Sequence, residues 1–274
     1  MRYISCAMKT KNISKRTKTE ISDNVEYVER IPRSMVAVAL DYPNGYHIPV
    51  HCHQSVQLLY ACAGVMTVTT EKGIWVVPPQ RAVWVPALME HQIFASGRLS
   101  MRSLYIKPDA APGLPIECCV VSVPPLLREL ILHAVTLPRL YPLTGPEARI
   151  MTVILDQIRS LSVAPLDLST PKDPRLERIY RAFTVNPADN RTLGDWGNKV
   201  GATSRTLSRL FRSETGMNFR QWRQQVRILE ALRRLGNEEP VTSVALDMGY
   251  DSPSAFINMF KKALGKTPGQ YFNG

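Results

Sequence analysis

Four of the five histidines fall between residues 47 and 91, and three of them are spaced to meet. His51 and His53 stand two apart, and alternate residues of a strand point to the same face. Both can therefore project into one barrel interior, with Gln57 four residues on and His91 arriving from a later segment. Three imidazoles with a glutamine can hold Zn²⁺, Ni²⁺ or Fe²⁺, all of which accept neutral nitrogen ligands. The same set can instead hydrogen-bond a small effector, or one another. Glutamine brings no negative charge, so a divalent ion would bind less tightly than with a carboxylate at position 57. Cys52 and Glu90 point outward by alternation and are not counted as ligands.

A second kind of chemistry lies near the C-terminus. LGDWGNKVGATSRTLSRLF (193–211) resembles VTSVALDMGYDSPSAFINMF (241–260). Each reads as an apolar helix, a glycine, a short polar turn, a Ser or Thr, and a helix ending in Phe. Gly201 and Gly249 suit the left-handed backbone that ends a helix. Thr203 and Ser252 suit caps, and Pro253 a first helical residue. The pattern is two helix-turn-helix units, each with a second helix free to enter a major groove of double-stranded DNA. On the first such helix Leu207, Leu210 and Phe211 form the apolar stripe, facing Trp196 and Val200. Arg205, Thr206, Ser208, Arg209 and Arg212 are left for DNA. On the second, Phe256, Met259 and Phe260 pack on Val244, Ala245 and Met248, leaving Ser252, Ser254, Asn258, Lys261 and Lys262. Arginine reads guanine and asparagine reads adenine, whereas the two lysines suit phosphates. Residues 217–236 read as one long helix with Trp222, Val226, Leu229 and Leu232 on one face. It would act as a strut setting the spacing of the two reading heads.

The elements that position the histidines are short apolar runs broken by Pro and Gly: 36–40, 56–61, 65–70, 74–77, 82–85 and 101–106. They predict a small antiparallel β-barrel or sandwich with Trp75 and Trp84 in its core. Two amphipathic helices follow, over 124–135 and 145–162. The second carries Ile150, Val153, Ile154, Ile158 and Leu161 on one face. Either the chain's own barrel or a homodimer partner covers such stripes. Residues 165–174 hold three prolines and read as a linker. The expected organisation is a basic, disordered leader (1–24), a sensor domain (25–120), a helical dimerisation region (121–164), the linker (165–174) and a DNA-binding domain (175–274). The fold class is multidomain α+β: a small antiparallel, jelly-roll-like β-barrel, a helical linker region, and an all-α double helix-turn-helix.

Charge agrees with this division. The chain of 274 residues carries a formal net charge of +11. Residues 1–20 carry net +5, residues 21–174 net −1, and residues 175–274 net +7. A neutral body is joined to a basic end, which fits a polyanionic partner. With 45% hydrophobic and 21% charged residues, the chain is not of disordered composition. No apolar run approaches the roughly 18 residues of a membrane span, and the first residues lack the apolar core of a secretory signal. Five cysteines without regular spacing argue against a disulfide framework and fit a reducing, cytoplasmic location.

On these residues the C-terminal hundred resembles the DNA-binding domain of the AraC/XylS transcription regulators. The most specific stretch is VTSVALDMGYDSPSAFINMFKKALGKTPGQYF (241–272). The resemblance assigns Arg205, Ser208 and Arg209 to the first reading helix, and Ser254 and Asn258 to the second. Asn258 stands where the family often has Arg, and Phe272 follows Tyr271 where Arg is usual. Residues 36–106 are similar to the cupin sensor of one branch of that family. Gly45, His51, His53, Gln57 and Gly64 match its first motif. Pro86 and His91 match a degraded second one, whose expected glycines are Gln80 and Leu88 and whose closing Asn is Ala95. The resemblance implies an activator or repressor that senses a small molecule or metal, acts as a dimer with RNA polymerase, and controls a neighbouring operon, for instance a transporter gene. The alternative is a metal-dependent cupin enzyme with a DNA-binding appendage.

Overall fold

The computed structural model describes residues 27–272. The basic leader expected over 1–24 lies outside the described residues.

Nine strands build one antiparallel sheet: β1 (Met35–Tyr42), β2 (His47–His51), β3 (Val56–Thr70), β4 (Gly73–Val77), β5 (Arg81–Val85), β6 (His91–Ile106), β7 (Cys119–Ser122), β8 (Val163–Ala164) and β9 (Asp167–Ser169). The two apolar runs at 56–61 and 65–70 are one strand, because Gly64 (φ +71°) forms a bulge and not a turn. β3 and β6 each pair with two different neighbours along their length. β3 takes β5 in its first half and β4 in its second; β6 takes β2 and then β1. The long strands bend where the pairing with each other slips, between Ala61 and Val65. The hydrogen-bonded path runs β1-β6-β3-β5-β7-β8 without returning to β1, so the sheet is open where a closed barrel was expected.

One face of the sheet gathers Leu59, Val68, Trp75, Val85, Ile93 and Met101. The other buries Leu58, Tyr60, Trp84 and Leu104 beneath α1 (Pro125–Ala134) and α2 (Pro146–Arg159). Those helices supply Leu127, Ile131, Met151, Ile154 and Ile158, so their main apolar stripe packs on their own sheet. Val153, expected on that stripe, is 41% exposed. The predicted linker is corrected as well. Within 165–174, the segment Asp167–Ser169 forms β9 and pairs with the edge of β4, since an edge strand offers free backbone groups.

The C-terminal part is helical: α3 (Pro174–Val185), α4 (Leu193–Val200), α5 (Ser204–Thr215), α6 (Phe219–Gly236), α7 (Val241–Asp247), α8 (Pro253–Leu264) and α9 (Pro268–Phe272). α4–α5 and α7–α8 are the two helix-turn-helix units. Gly201 (φ +71°) and Gly249 (φ +77°) are left-handed at the turns. Thr203 accepts from the Thr206 N–H and Ser252 from the Ala255 N–H, as caps. α6 buries the predicted face of Trp222, Val226, Leu229 and Leu232. It also buries Arg227, Ile228, Ala231, Leu235 and Gly236. The strut is therefore covered on more than one side, and β3, β4, β6 and β9 of the sheet lie against it.

Candidate effector site and nucleic-acid interface

His51 is the last residue of β2 and pairs directly across from His91, the first residue of β6. His53 lies beyond the strand, so alternation along β2 is not what aligns it. The three rings nonetheless converge. Their centroids are 4.3 Å apart for His51–His91, 5.2 Å for His53–His91 and 6.1 Å for His51–His53. One ring nitrogen from each lies within 4.8 Å of the other two.

Backbone carbonyls fix the ring tautomers. The Nδ1–H groups of His51, His53 and His91 donate to Pro49 O (2.9 Å), Ser55 O (2.6 Å) and Met89 O (2.9 Å). In a neutral ring this leaves Nε2 as a lone-pair donor to an incoming group. His91 Nε2 is buried without a hydrogen-bond partner among the described residues. Burial, with His51 alongside, pulls His91 down to about 3, and burial also lowers His51. Both rings are therefore uncharged near neutral pH, as ligand histidines must be. Gln57 lies 2.9 Å from His53 Nε2 and donates its amide to Ser103 Oγ at 2.7 Å. As placed, the Gln57 oxygen faces His53 Nε2; a lone pair on that nitrogen requires the amide turned over, its NH₂ towards His53 and its oxygen accepting from the Ser103 hydroxyl. On this geometry the residues fit a divalent ion, which would compete with Gln57 for the His53 nitrogen.

Cys52 and Glu90 are exposed, as alternation predicted. Three neighbours were not foreseen. Tyr105, raised to about 12 by burial, packs edge-on against His53 at 5.5 Å. Ser103 completes the Gln57 contact, and the Glu29 carboxylate accepts from the Ser55 N–H at 2.8 Å. Ser103 and Tyr105 were readable in principle, since they alternate along the run 101–106. Glu29 comes from another part of the chain and left no local signal. A cavity of about 560 Å³ adjoins His91, lined by Val50, Thr70, Pro86, Leu88 and Gln92 among others. That is the size of an ordinary small-molecule pocket.

Two turns hold left-handed residues that are not glycine: Gln80 (φ +65°) between β4 and β5, and Leu88 (φ +61°) between β5 and His91. These are the two places where the cupin pattern expects glycine. The backbone shape has been kept although the residue type has changed. The Leu88 N–H donates to His53 O at 2.8 Å, so the second of these turns also holds the histidine loop.

The reading faces of the two units are free. Arg205, Ser208, Arg209 and Arg212 on α5 are exposed, as are Ser254, Asn258, Lys261 and Lys262 on α8. Among the described residues none of these five cations has an ion-pair partner. Arg175, Arg181, Arg191, Arg233 and Arg234 of the same region are each paired with a carboxylate. Unpaired, exposed cations at the N-terminal and outer faces of two capped helices are what phosphate and base contacts require. Two predicted residues stand differently. The Thr206 hydroxyl bonds to Thr203 Oγ1 at 3.0 Å and the Ser252 hydroxyl caps α8, so both hydroxyls shape the helix start.

Comparison with known proteins agrees with this division of labour. Residues 34–141 match the AraC-like ligand binding domain and residues 196–274 match a helix-turn-helix domain. The chain is 38% identical over 226 residues to the HTH-type transcriptional regulator NimR of Escherichia coli (strain K12), spanning 81% of both proteins. It is 27% identical over 125 residues to the arabinose operon regulatory protein of Escherichia coli (strain K12), covering 44% of this chain and 43% of that one. The chain belongs to the AraC family of helix-turn-helix transcription regulators. It is a DNA-binding regulator with a ligand-binding domain, and the enzyme alternative is set aside because these relatives are named as regulators. Among the described residues no helix is long and apolar enough to cross a membrane.

Proposed function

We propose that this regulator senses its effector at His51, His53 and His91, in the adjoining cavity, and reads operator DNA with α5 and α8. The observation that carries the sensor reading is the buried Nε2 of His91, without a hydrogen-bond partner among the described residues, beside two more rings whose Nδ1–H groups are held by carbonyls. Leaving such an atom empty costs about 1–3 kcal/mol, so a group that accepts the lone pair is favoured there. Zn²⁺, Ni²⁺ or Fe²⁺ answers that description; so does an effector with a hydrogen-bond donor. A bound divalent ion would supply fixed positive charge and an open coordination position. The Pro49, Ser55 and Met89 carbonyls hold the three Nδ1–H groups, and burial keeps His91 from bulk water.

The reading includes a homodimer, RNA polymerase as a partner, a cytoplasmic location, and control of a neighbouring operon such as a transporter gene. Activation and repression both remain within it. Equilibrium dialysis of the full chain against ZnCl₂ or NiCl₂ tests the metal arm. One ion per chain, lost in His91→Ala, is the expected result. No retention by the wild type would leave a small hydrogen-bonding effector as the occupant.

A further inference from the structure

Gly97 of β6 and Gly236, the last residue of α6, meet where the sensor sheet lies on the strut. A Cβ on Gly97 would stand 2.0 Å from the Gly236 carbonyl oxygen. A Cβ on Gly236 would stand 2.5 Å from Val65 Cγ2 of β3 and 3.2 Å from the Ser96 carbonyl oxygen. Neither position has room for a side chain while the domains are in contact. Gly97 is also left-handed (φ +77°), and its N–H donates to Asn44 Oδ1 at 2.9 Å. Gly236 has no such backbone reason. It closes a helix of 18 residues, where alanine would be favoured by about 1 kcal/mol. What lies against it accounts for the glycine.

Each side of this contact leads to a functional site. β6 starts at His91, six residues from Gly97 and roughly 20 Å away at the rise of a strand. β3 carries both Gln57 and Val65. On the other side, Arg234 pairs with Glu239 and Asp247, which ties the end of α6 to the following loop and to α7. α7 in turn packs Val244 and Ala245 into the cluster holding Phe256 and Phe260 of α8. The second reading helix is thus mechanically joined to the end of the strut, and the end of the strut to the strand that begins at the histidine site.

We propose that the Gly97–Gly236 contact is the joint through which the sensor domain sets the position of the second reading helix. This rests on the regulator reading above. The reading faces of α5 and α8 stay exposed with the domains docked, so the joint acts by placing α8 and not by covering it. Because β6 carries both His91 and Gly97, the joint is also the route by which a filled histidine site reaches the DNA.

The test uses the full chain and a genomic DNA fragment retained by the wild type. Gly236→Ala and Gly97→Ala are compared with Gly269→Ala, where an added Cβ meets nothing within 4 Å. Two readouts are taken: tryptic cleavage after Lys172, in the segment between the domains, and the hydroxyl-radical footprint. The joint predicts at least tenfold faster cleavage in both joint variants. It also predicts loss of protection in the groove read by α8, with the α5 groove kept, while Gly269→Ala behaves as wild type. Gly236→Ala is the decisive variant, because alanine favours the helix itself and a folding defect is not expected. Unchanged cleavage and an unchanged footprint in Gly236→Ala overturn the proposal. Adding ZnCl₂ separates it from the metal reading. If zinc alters the wild-type footprint and alters Gly236→Ala equally, the joint is not the route. If zinc does nothing to the wild type while Gly236→Ala still loses the α8 groove, the joint holds and the metal reading fails.

Discussion

At the scale of single residues, Leu88 holds a backbone conformation that suits glycine while its own side chain is 62% exposed. A left-handed residue with a Cβ costs on the order of 1 kcal/mol, and an exposed leucine recovers little of that by burial. Leu88→Gly is therefore expected to stabilise the sensor domain by about 1 kcal/mol, seen as a rise in the urea midpoint. A fall would mean that the leucine makes a contact worth more than the strain. The position was legible in the sequence, since spacing marked Gln80 and Leu88 as the places of two missing glycines. The caps at Thr203 and Ser252 and the turns at Gly201 and Gly249 were legible for the same reason: each is decided by a few neighbouring residues. The convergence of His51, His53 and His91 was anticipated, but on a partly wrong ground. His53 is aligned by the Ser55 carbonyl and the Gln57 amide, and not by strand alternation.

At the scale of elements, the strut α6 is the part that sequence described least fully. Its apolar stripe was visible, but a buried arginine on another face has no periodic signature. Arg227 donates from Nε to Pro187 O at 2.9 Å and from a terminal nitrogen to Asn190 Oδ1 at 2.8 Å. Its guanidinium lies 5.7 Å from the Tyr250 ring centroid, next to Gly249. It thereby ties the segment before the first unit to the turn of the second. Burial lowers its pKa, yet it stays charged across the physiological range, and its loss takes the donor from the half-buried Pro187 carbonyl and the buried Asp189 carbonyl. Arg227→Met is expected to destabilise the DNA-binding domain by about 2–3 kcal/mol in urea unfolding, with Arg227→Lys recovering only part. A near-neutral Arg227→Met would show that the clasp is dispensable. The sheet gave a related lesson. β1, β3, β4, β5 and the end of β6 were legible from apolar runs, whereas β2 and the start of β6 were not among those runs, and β7, β8 and β9 are short pieces made by pairing with distant edges. Edge pairing is a tertiary fact, and so is the open path that replaces the expected barrel.

At the scale of the whole molecule, the division into a neutral sensor and a basic reader could be seen in the charge count alone. The contact between them could not, because it depends on two glycines that look unremarkable in their own segments. The self-association surface is the other whole-molecule question. α1 and α2 bury one face on the sheet and leave Leu126 58% and Val153 41% exposed on the outside. If these helices join two copies, Leu126→Glu with Val153→Glu should sediment as a monomer at concentrations where the wild type is a dimer. A dimer in both would move the interface elsewhere.

The central claim is that α5 and α8 read sequence in successive grooves while flanking lysines hold phosphates. Its most direct test is binding of the full chain to a retained genomic fragment and to random DNA, for wild type, Arg209→Ala and Lys261→Ala over a range of salt. The account predicts that Arg209→Ala loses about 1–3 kcal/mol on the specific fragment and little on random DNA. Lys261→Ala should weaken both alike and lower the salt slope by about one. Equal losses for Arg209→Ala on specific and random DNA would contradict it, and would mean that the first unit grips the backbone without reading bases.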